Sequence, residues 1–382
     1  MKLLGLVLFM LLCFTYCFSQ APNQIDNALL LDYYQNQRFI EAADYLKKIY
    51  PEPVTDGKAL SQLAYTSQMA GRLTDAEIYY QRIYSMDTTS QSALISMAGI
   101  NMRRGNITKA EPYYLQLIAK DTTNFLVYKQ LANIRRQKYD IMGYVNYLVR
   151  ANKLNPQDAD VASDLSDQYL DLKQITLAQK VLDSAIVKDP ENIILLQSLI
   201  KLTHAQKKWP ETIKAGTMLL AMGDNSFPTL NKLGQAYYQL KNYECALESY
   251  YSLENNQHNE TSFYFMGMSY KALKNHKKAI EYLEKAIADG ISPAIDSYYG
   301  EMAGSYQDTR QHKKALWAYQ KGLQFNESPL IYYSLALLYD DDLKDKANAM
   351  RYYKKYLATN PPVKQQELVA YCKSRLAMLK RN

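Results

Sequence analysis

Four histidines, two cysteines beyond residue 20 and one cluster of aspartates are the side chains in this 382-residue chain that could carry reaction chemistry. His204, His258, His276 and His312 are scattered: no two stand four apart, and none sits beside a cysteine at zinc-ligand spacing. Cys245 and Cys372 are far apart in the chain. A disulfide needs Cα atoms within about 7 Å, so no cross-link is expected. Asp164, Asp167 and Asp171 fall at spacings of three and four, on one helical face. A cation would need a second arm of oxygen ligands, so a solvated acidic face is the expectation and no metal is assigned. The chain shows no Gly-rich phosphate loop, no nucleophile elbow and no metalloprotease motif. It therefore reads as non-enzymatic and without a cofactor.

The elements that carry these residues repeat. AEIYYQRIYSMDTT (76–89) returns 34 residues later as AEPYYLQLIAKDTT (110–123). Steps of 33, 34 or 36 residues link Ala42, Ala76, Ala110, Tyr144, Ala178, Thr212, Ala246, Ala279, Ala315 and Ala349. Four residues after these anchors comes a large apolar side chain, as at Leu46, Tyr80, Tyr114, Leu148, Leu182, Tyr250, Leu283, Tyr319 and Tyr353; Gly216 is the exception. Twelve residues before the anchor is a small or apolar site, as in Leu233-Gly234, Met266-Gly267 and Met302-Ala303. Tyr33, Tyr169, Tyr237, Tyr270, Tyr306 and Tyr339 follow those sites. Positions i, i+4 and i+7 share a helical face, so each unit is a helix–turn–helix. Its small residues admit close helix approach, and its aromatics are expected to fill the wedge between one pair and the next. One unit cannot bury its stripe alone, so units must stack.

The pattern resembles the tetratricopeptide repeat across nearly the whole chain. LNKLGQAYYQLKNYECALESYYSL (230–253) carries Leu-Gly, Tyr and Ala where that family has them, and SDLSDQYLDLKQITLAQKVLDSAIVKDP (163–190) ends on its terminal Pro. The resemblance implies an all-α, right-handed α-solenoid of stacked antiparallel helix pairs, a superhelix of about ten units. These are 23–56, 57–90, 91–124, 125–158, 159–192, 193–226, 227–259, 260–295, 296–328 and 329–362, with a capping helix over 363–382. It also implies a peptide-binding groove lined by Tyr65, Met102, Lys129, Asn133, Arg136, Asp167, Lys201, Gln235, Tyr238, Tyr264, Met268 and Lys271. Lys129, Asn133 and Arg136 look like half of the family's carboxylate clamp. The other half is missing, because Asp164, Ile194 and Ser198 stand where its polar and basic partners belong. The implied function is a scaffold that binds a protein or peptide along the groove; the alternative is a glycan- or cell-wall-binding module using groove tyrosines. Asp-Thr-Thr sits where the family often has Asp-Pro and is expected to cap the following helix. The same triplets, with Asp183-Ser184-Ala185, also match bacterial O-glycosylation acceptors; capping or plain helix surface is the competing reading.

The two ends add location. Met1-Lys2 precedes sixteen uncharged residues, LLGLVLFMLLCFTYCF, and then SQAPNQ, the pattern of a secretory leader over 1–19. Uncleaved anchoring and lipidation at Cys13 or Cys17 are the alternatives. The chain is therefore expected to be exported, periplasmic or secreted, in a bacterial envelope, which disfavours nucleic acid as a partner. Formal net charge is +7. From Asp341 onward ten Lys and Arg face four acids, so the surplus collects at the C-terminal end. That end is either a solvated helix face or a peripheral contact with an anionic surface.

Overall fold

The computed structural model describes residues 25–290 and 294–381, and every regular element among them is helical. The expected leader, 1–19, lies outside the described residues. The chain divides into two compact units, one ending at Val161 and one beginning at Ala162. The first unit holds α1 (Asn27–Gln35), α2 (Phe39–Ile49), α3 (Gly57–Met69), α4 (Leu73–Met86), α5 (Gln91–Arg103), α6 (Ile107–Lys120), α7 (Phe125–Gln137) and α8 (Ile141–Leu154). Helix α9 (Ala159–Asp171) begins there and ends in the second unit. The second unit continues with α10 (Ile175–Ile186), α11 (Ile193–Ala205), α12 (Trp209–Ala221), α13 (Phe227–Gln239), α14 (Tyr243–Tyr251), α15 (Glu260–Ala272) and α16 (His276–Asp289). It ends with α17 (Ile295–Asp308), α18 (His312–Phe325), α19 (Pro329–Leu337), α20 (Lys346–Ala358) and α21 (Gln366–Arg381). None of these helices is long and apolar enough to cross a membrane.

The turn inside each pair is set by backbone chemistry. Gln37, Gly71, Gly105, Tyr139, Lys173, Lys207, Lys241, Lys274, Arg310 and Lys344 all have positive φ, between 54° and 75°. Each stands five residues before its unit's anchor. The next N–H then reaches back to close the ended helix: Arg38 to the Tyr33 carbonyl at 2.8 Å, Lys208 to Thr203 at 2.9 Å, Gln311 to Tyr306 at 2.8 Å. This left-handed C-terminal closure satisfies carbonyls that the helix end would leave orphaned. In the last pair the equivalent bond runs from Asp345 to Tyr339 and is one residue longer. A π-helical turn at Leu338–Asp342 absorbs the extra residue. Tyr339 thus precedes its anchor by ten positions, whereas Tyr270 and Tyr306 precede theirs by nine.

Small residues bring the two helices of a pair together, as the spacing predicts. A Cβ at Gly234 would lie 2.7 Å from the Tyr250 ring, and one at Gly267 would lie 2.9 Å from Leu283. Within each unit the second helix also packs on the first helix of the next pair, as α4 does on α5 and α16 on α17. Some aromatics bridge successive pairs, as expected: Tyr250 stacks on Phe265 at 6.4 Å and Tyr264 on Tyr298 at 4.7 Å, whereas others pack inside a pair. Tyr270 stacks on Tyr282 and Tyr339 on Tyr352, in both cases within the pair, at 5.6 Å between centroids. The Tyr270 hydroxyl also reaches the preceding pair, 2.6 Å from that of Tyr251, as the Tyr306 hydroxyl does by donating to Glu284 at 3.3 Å. The Asp-Thr-Thr expectation is corrected. Asp87 Oδ1 accepts from the Thr89 amide at 2.8 Å and from its hydroxyl, closing a turn, as Asp121 does with Thr123. The N-caps of α5 and α7 are the following residues, Ser90 and Asn124.

Helix α21 covers the last pair. Val369 and Cys372 are buried, with Leu368, Leu376 and Leu379 packed on the same core. Both Cys245 and Cys372 are free thiols, and burial pushes Cys372 up to about 11.

Candidate functional site

The groove residues expected from the sequence all fall on the first helix of their pairs, from Tyr65 on α3 to Lys271 on α15. In the first unit these helices expose apolar side chains beside polar ones such as Lys58 and Arg103. Leu31 (54% exposed), Tyr65 (47%), Met69 (46%), Ile95 (45%) and Leu126 (65%) stand on α1, α3, α5 and α7. Leu31 and Tyr65 occupy the same position one repeat apart, while Tyr65 and Met69 share a face one turn apart. Tyr34 supports the row from below: its ring meets Tyr65 edge-on at 6.0 Å, and its hydroxyl lies 2.6 Å from Thr66 Oγ1. Met102, half-buried on α5, extends it. Exposed Arg103 adds a cation that touches the Gln68 carbonyl at 3.5 Å.

The polar trio beyond this row is internally engaged. Lys129 Nζ donates to Asp158 Oδ1 at 3.0 Å and to Asp160 Oδ2 at 2.8 Å. Arg136 donates to Asn133 Oδ1 at 3.1 Å and lies 5.8 Å from the Tyr144 centroid. Gln137 donates to the same Asn133 oxygen at 3.3 Å. Lys129 is therefore a structural bridge as well as a wall residue, and reversing its charge would strain the unit.

In the second unit polar pairs bridge the first helices, while Ile194 is exposed at the repeat position of Leu126. Asp167 on α9 accepts from Ser198 at 3.2 Å and from Lys201, both on α11. His204 Nε2 lies 3.0 Å from Gln235 Oε1 on α13, and Gln235 donates to Asn231 at 3.0 Å. Burial and nearby Lys232 lower the His204 pKa, against the Gln235 bond. Lys271 donates to Glu301 Oε2 at 2.8 Å. Tyr238 packs edge-on to Phe265 at 5.3 Å, and Tyr264 stacks on Tyr298 at 4.7 Å. Met268 is half-buried beside them. Of Tyr65, Tyr238 and Tyr264, only Tyr65 is an exposed ring.

Comparison with known proteins follows this geometry. The tetratricopeptide repeat family matches residues 261–288 and 330–362, which overlie α15–α16 and α19–α20. The chain carries tetratricopeptide repeats. Its helix pairs accommodate about ten of them. A solved tetratricopeptide repeat protein from Parabacteroides merdae is similar over 64% of this chain and 98% of that one, with 13% identity and a TM-score of 0.43. The pilF protein of Pseudomonas aeruginosa is similar over 56% and 97%, with 20% identity and a TM-score of 0.45. A chain of the Cut9–Hcn1 hetero-tetramer of the APC/C is similar over 90% and 95%, with 12% identity and a TM-score of 0.47. No curated protein matches the sequence.

Tetratricopeptide positions account for Tyr65, Lys129, Asn133 and Lys201, but sequence reasoning passed over Leu31, Met69, Ile95 and Leu126. Their signal was present in the sequence: an apolar side chain at a groove position of a first helix has no partner helix to cover it. Lys232 was passed over too, because nothing local marks it.

Proposed function

We propose that this chain is a non-enzymatic scaffold that captures a peptide segment of another protein on the first-helix wall of its first unit. The observation that carries the reading is the exposed row Leu31, Tyr65, Met69, Ile95 and Leu126. Scattered exposed apolar residues are ordinary; these five recur on one face of successive first helices, where an interaction surface would need them. Such a row anchors an amphipathic or extended segment through a few buried side chains. Arg103 and Arg136 at its border favour an acidic residue next to the apolar anchors.

The leader-like segment before Gln20 supports export to a bacterial envelope, as a cleaved and mobile or as an anchored chain. N-terminal sequencing of the chain recovered from its own cells distinguishes these: cleavage yields a chain beginning at Gln20. The cations after Asp341 support a peripheral contact with an anionic surface, although Arg375 and Lys355 are already engaged by Asp340 and by the Tyr332 ring.

A peptide-display selection tests the capture reading. The expected winners carry two or three large apolar residues flanked by Asp or Glu. Changing Tyr65, Ile95 and Leu126 together to Ser should weaken capture at least tenfold, on the order of 1.4 kcal/mol or more. The melting temperature should hold, because all three are exposed. Undiminished capture by the triple variant would remove the wall from the reading.

A further inference from the structure

The second unit contains a lysine that neither the fold nor the peptide wall explains. Lys232, on α13, is half-buried and makes no hydrogen bond or ion pair with another described residue. Burial lowers its pKa first, neighbouring Lys201 lowers it further, and Asp167 opposes both. Lys201 already satisfies Asp167. Two ammonium groups therefore share the Asp167 carboxylate. An unpaired, partly desolvated cation beside a like charge is costly unless something else occupies the space between them.

That space exists. A cavity of about 190 Å³ is lined by Lys201, Lys232, Gln197, Ser226, Thr229 and Ile200, with Pro228 at its edge. Ser226, Pro228 and Thr229 form the start of α13. The N-cap Ser226 makes no side-chain capping bond there. A helix start carries partial positive charge, which adds to the two lysines, while Asp224 Oδ1 already accepts the Ser226 amide at 3.1 Å and Pro228 has no N–H to offer. Asp224 holds the far wall: Gln197 donates to its Oδ2 at 3.0 Å and Thr229 at 2.9 Å. These polar groups are thereby fixed in place.

We infer that Lys201, Lys232 and the first turn of α13 form a binding site for a single oxyanion group, carboxylate or phosphate. The cavity admits one such group and not a larger ligand body. Its residues belong to the second unit, apart from the apolar row and from the clamp-like Lys129 and Asn133. A free inorganic ion and an acidic or phosphorylated side chain of a partner present the same chemistry.

The test uses the full chain and inorganic phosphate, with acetate and chloride as comparisons at constant ionic strength. Thermal melting should rise with phosphate or acetate and not with chloride, because a ligand that binds only the folded state stabilises it. Calorimetric titration should give an affinity at least tenfold weaker in Lys232→Met, with the heat of binding lost in Lys201→Gln plus Lys232→Met. Without anion, Lys232→Met should melt at the same temperature or higher, because it removes an unpaired charge; a merely structural lysine would lower it. A larger response to phosphate than to acetate assigns the site to phosphate, and the reverse assigns it to a carboxylate. Equal responses to all three ions, or an unchanged affinity in Lys232→Met, overturn the site. The measurement involves no peptide, so failure of peptide capture at the first unit leaves its outcome unaffected.

Discussion

Asp340 shows how much one inserted residue can do. The π-helical turn that absorbs the extra residue places this carboxylate in the buried layer beneath α21. Arg375 Nε and Nη2 reach its two oxygens at 2.9 and 2.7 Å, and the Tyr353 hydroxyl donates to one of them at 3.1 Å. A forked guanidinium pair with a third donor satisfies a buried carboxylate well. The Arg375 bonds, ahead of the opposing burial, hold the Asp340 carboxyl below the usual carboxylate range. Its folded pKa is depressed, so its contribution to stability is complete above the unfolded aspartate value of about 3.9 and is lost as pH falls through the folded value. Melting curves from pH 6 to 2.5 should show the gap between this chain and Asp340→Asn closing only below about pH 4. Removing the cation instead leaves a buried carboxylate uncompensated. Arg375→Ala should cost about 2 kcal/mol, visible as faster hydrogen exchange in α21 at pH 7.

At the scale of the element, the decisive feature is the left-handed turn inside each pair. Glycine adopts that conformation without strain, yet only Gly71 and Gly105 are glycine among the ten; five are lysine. The backbone bonds that close each helix hold the side-chain-bearing residues there against a cost of about 1 kcal/mol each. Lys207→Gly should therefore raise stability by about 0.5–1 kcal/mol, and Gly105→Ala should lower it by about 1 kcal/mol. Paired thermal melts check both signs. Gly234 has the opposite requirement. Alanine there would meet the Tyr250 ring, so Gly234→Ala should lose about 1–3 kcal/mol in the same assay.

These elements also show what could be read beforehand. The Ala anchors, the small sites at Gly234 and Gly267, and the helical faces were legible because each is local and recurs. The turn position was not, because Tyr139, Lys207 and Arg310 give no local sign of positive φ. The state of the groove cations was not legible either. Asp158 and Asp160, which hold Lys129, lie 29 and 31 residues away, and Asp167, which holds Lys201, lies 34 away. A periodic sequence shows which face a residue takes but not which neighbour a full repeat away meets it.

At the scale of the whole molecule, one repeat pattern carries two sets of candidate contacts that differ in emphasis. The first unit presents apolar side chains; the second presents cross-linked polar groups and two lysines around a small cavity. Burial of apolar surface has a negative heat-capacity change and little salt dependence. Charge recognition near the surface is screened within about 10 Å at 0.1 M salt. A peptide selected on the first unit should therefore bind with a negative heat-capacity change. Its affinity should change by less than about threefold between 0.05 and 0.5 M salt, since only Arg103 and Arg136 add charge at the border. Phosphate or acetate binding at Lys201 and Lys232 should weaken about tenfold or more over the same range. Calorimetry at two temperatures and two salt concentrations measures all four quantities on one chain. Tyr65→Ser with Leu126→Ser should reduce the heat-capacity change and leave the anion site as it was, and Lys232→Met should do the reverse. If both variants altered both responses equally, the two sets of contacts would be acting as one site and the division of labour between the units would be wrong.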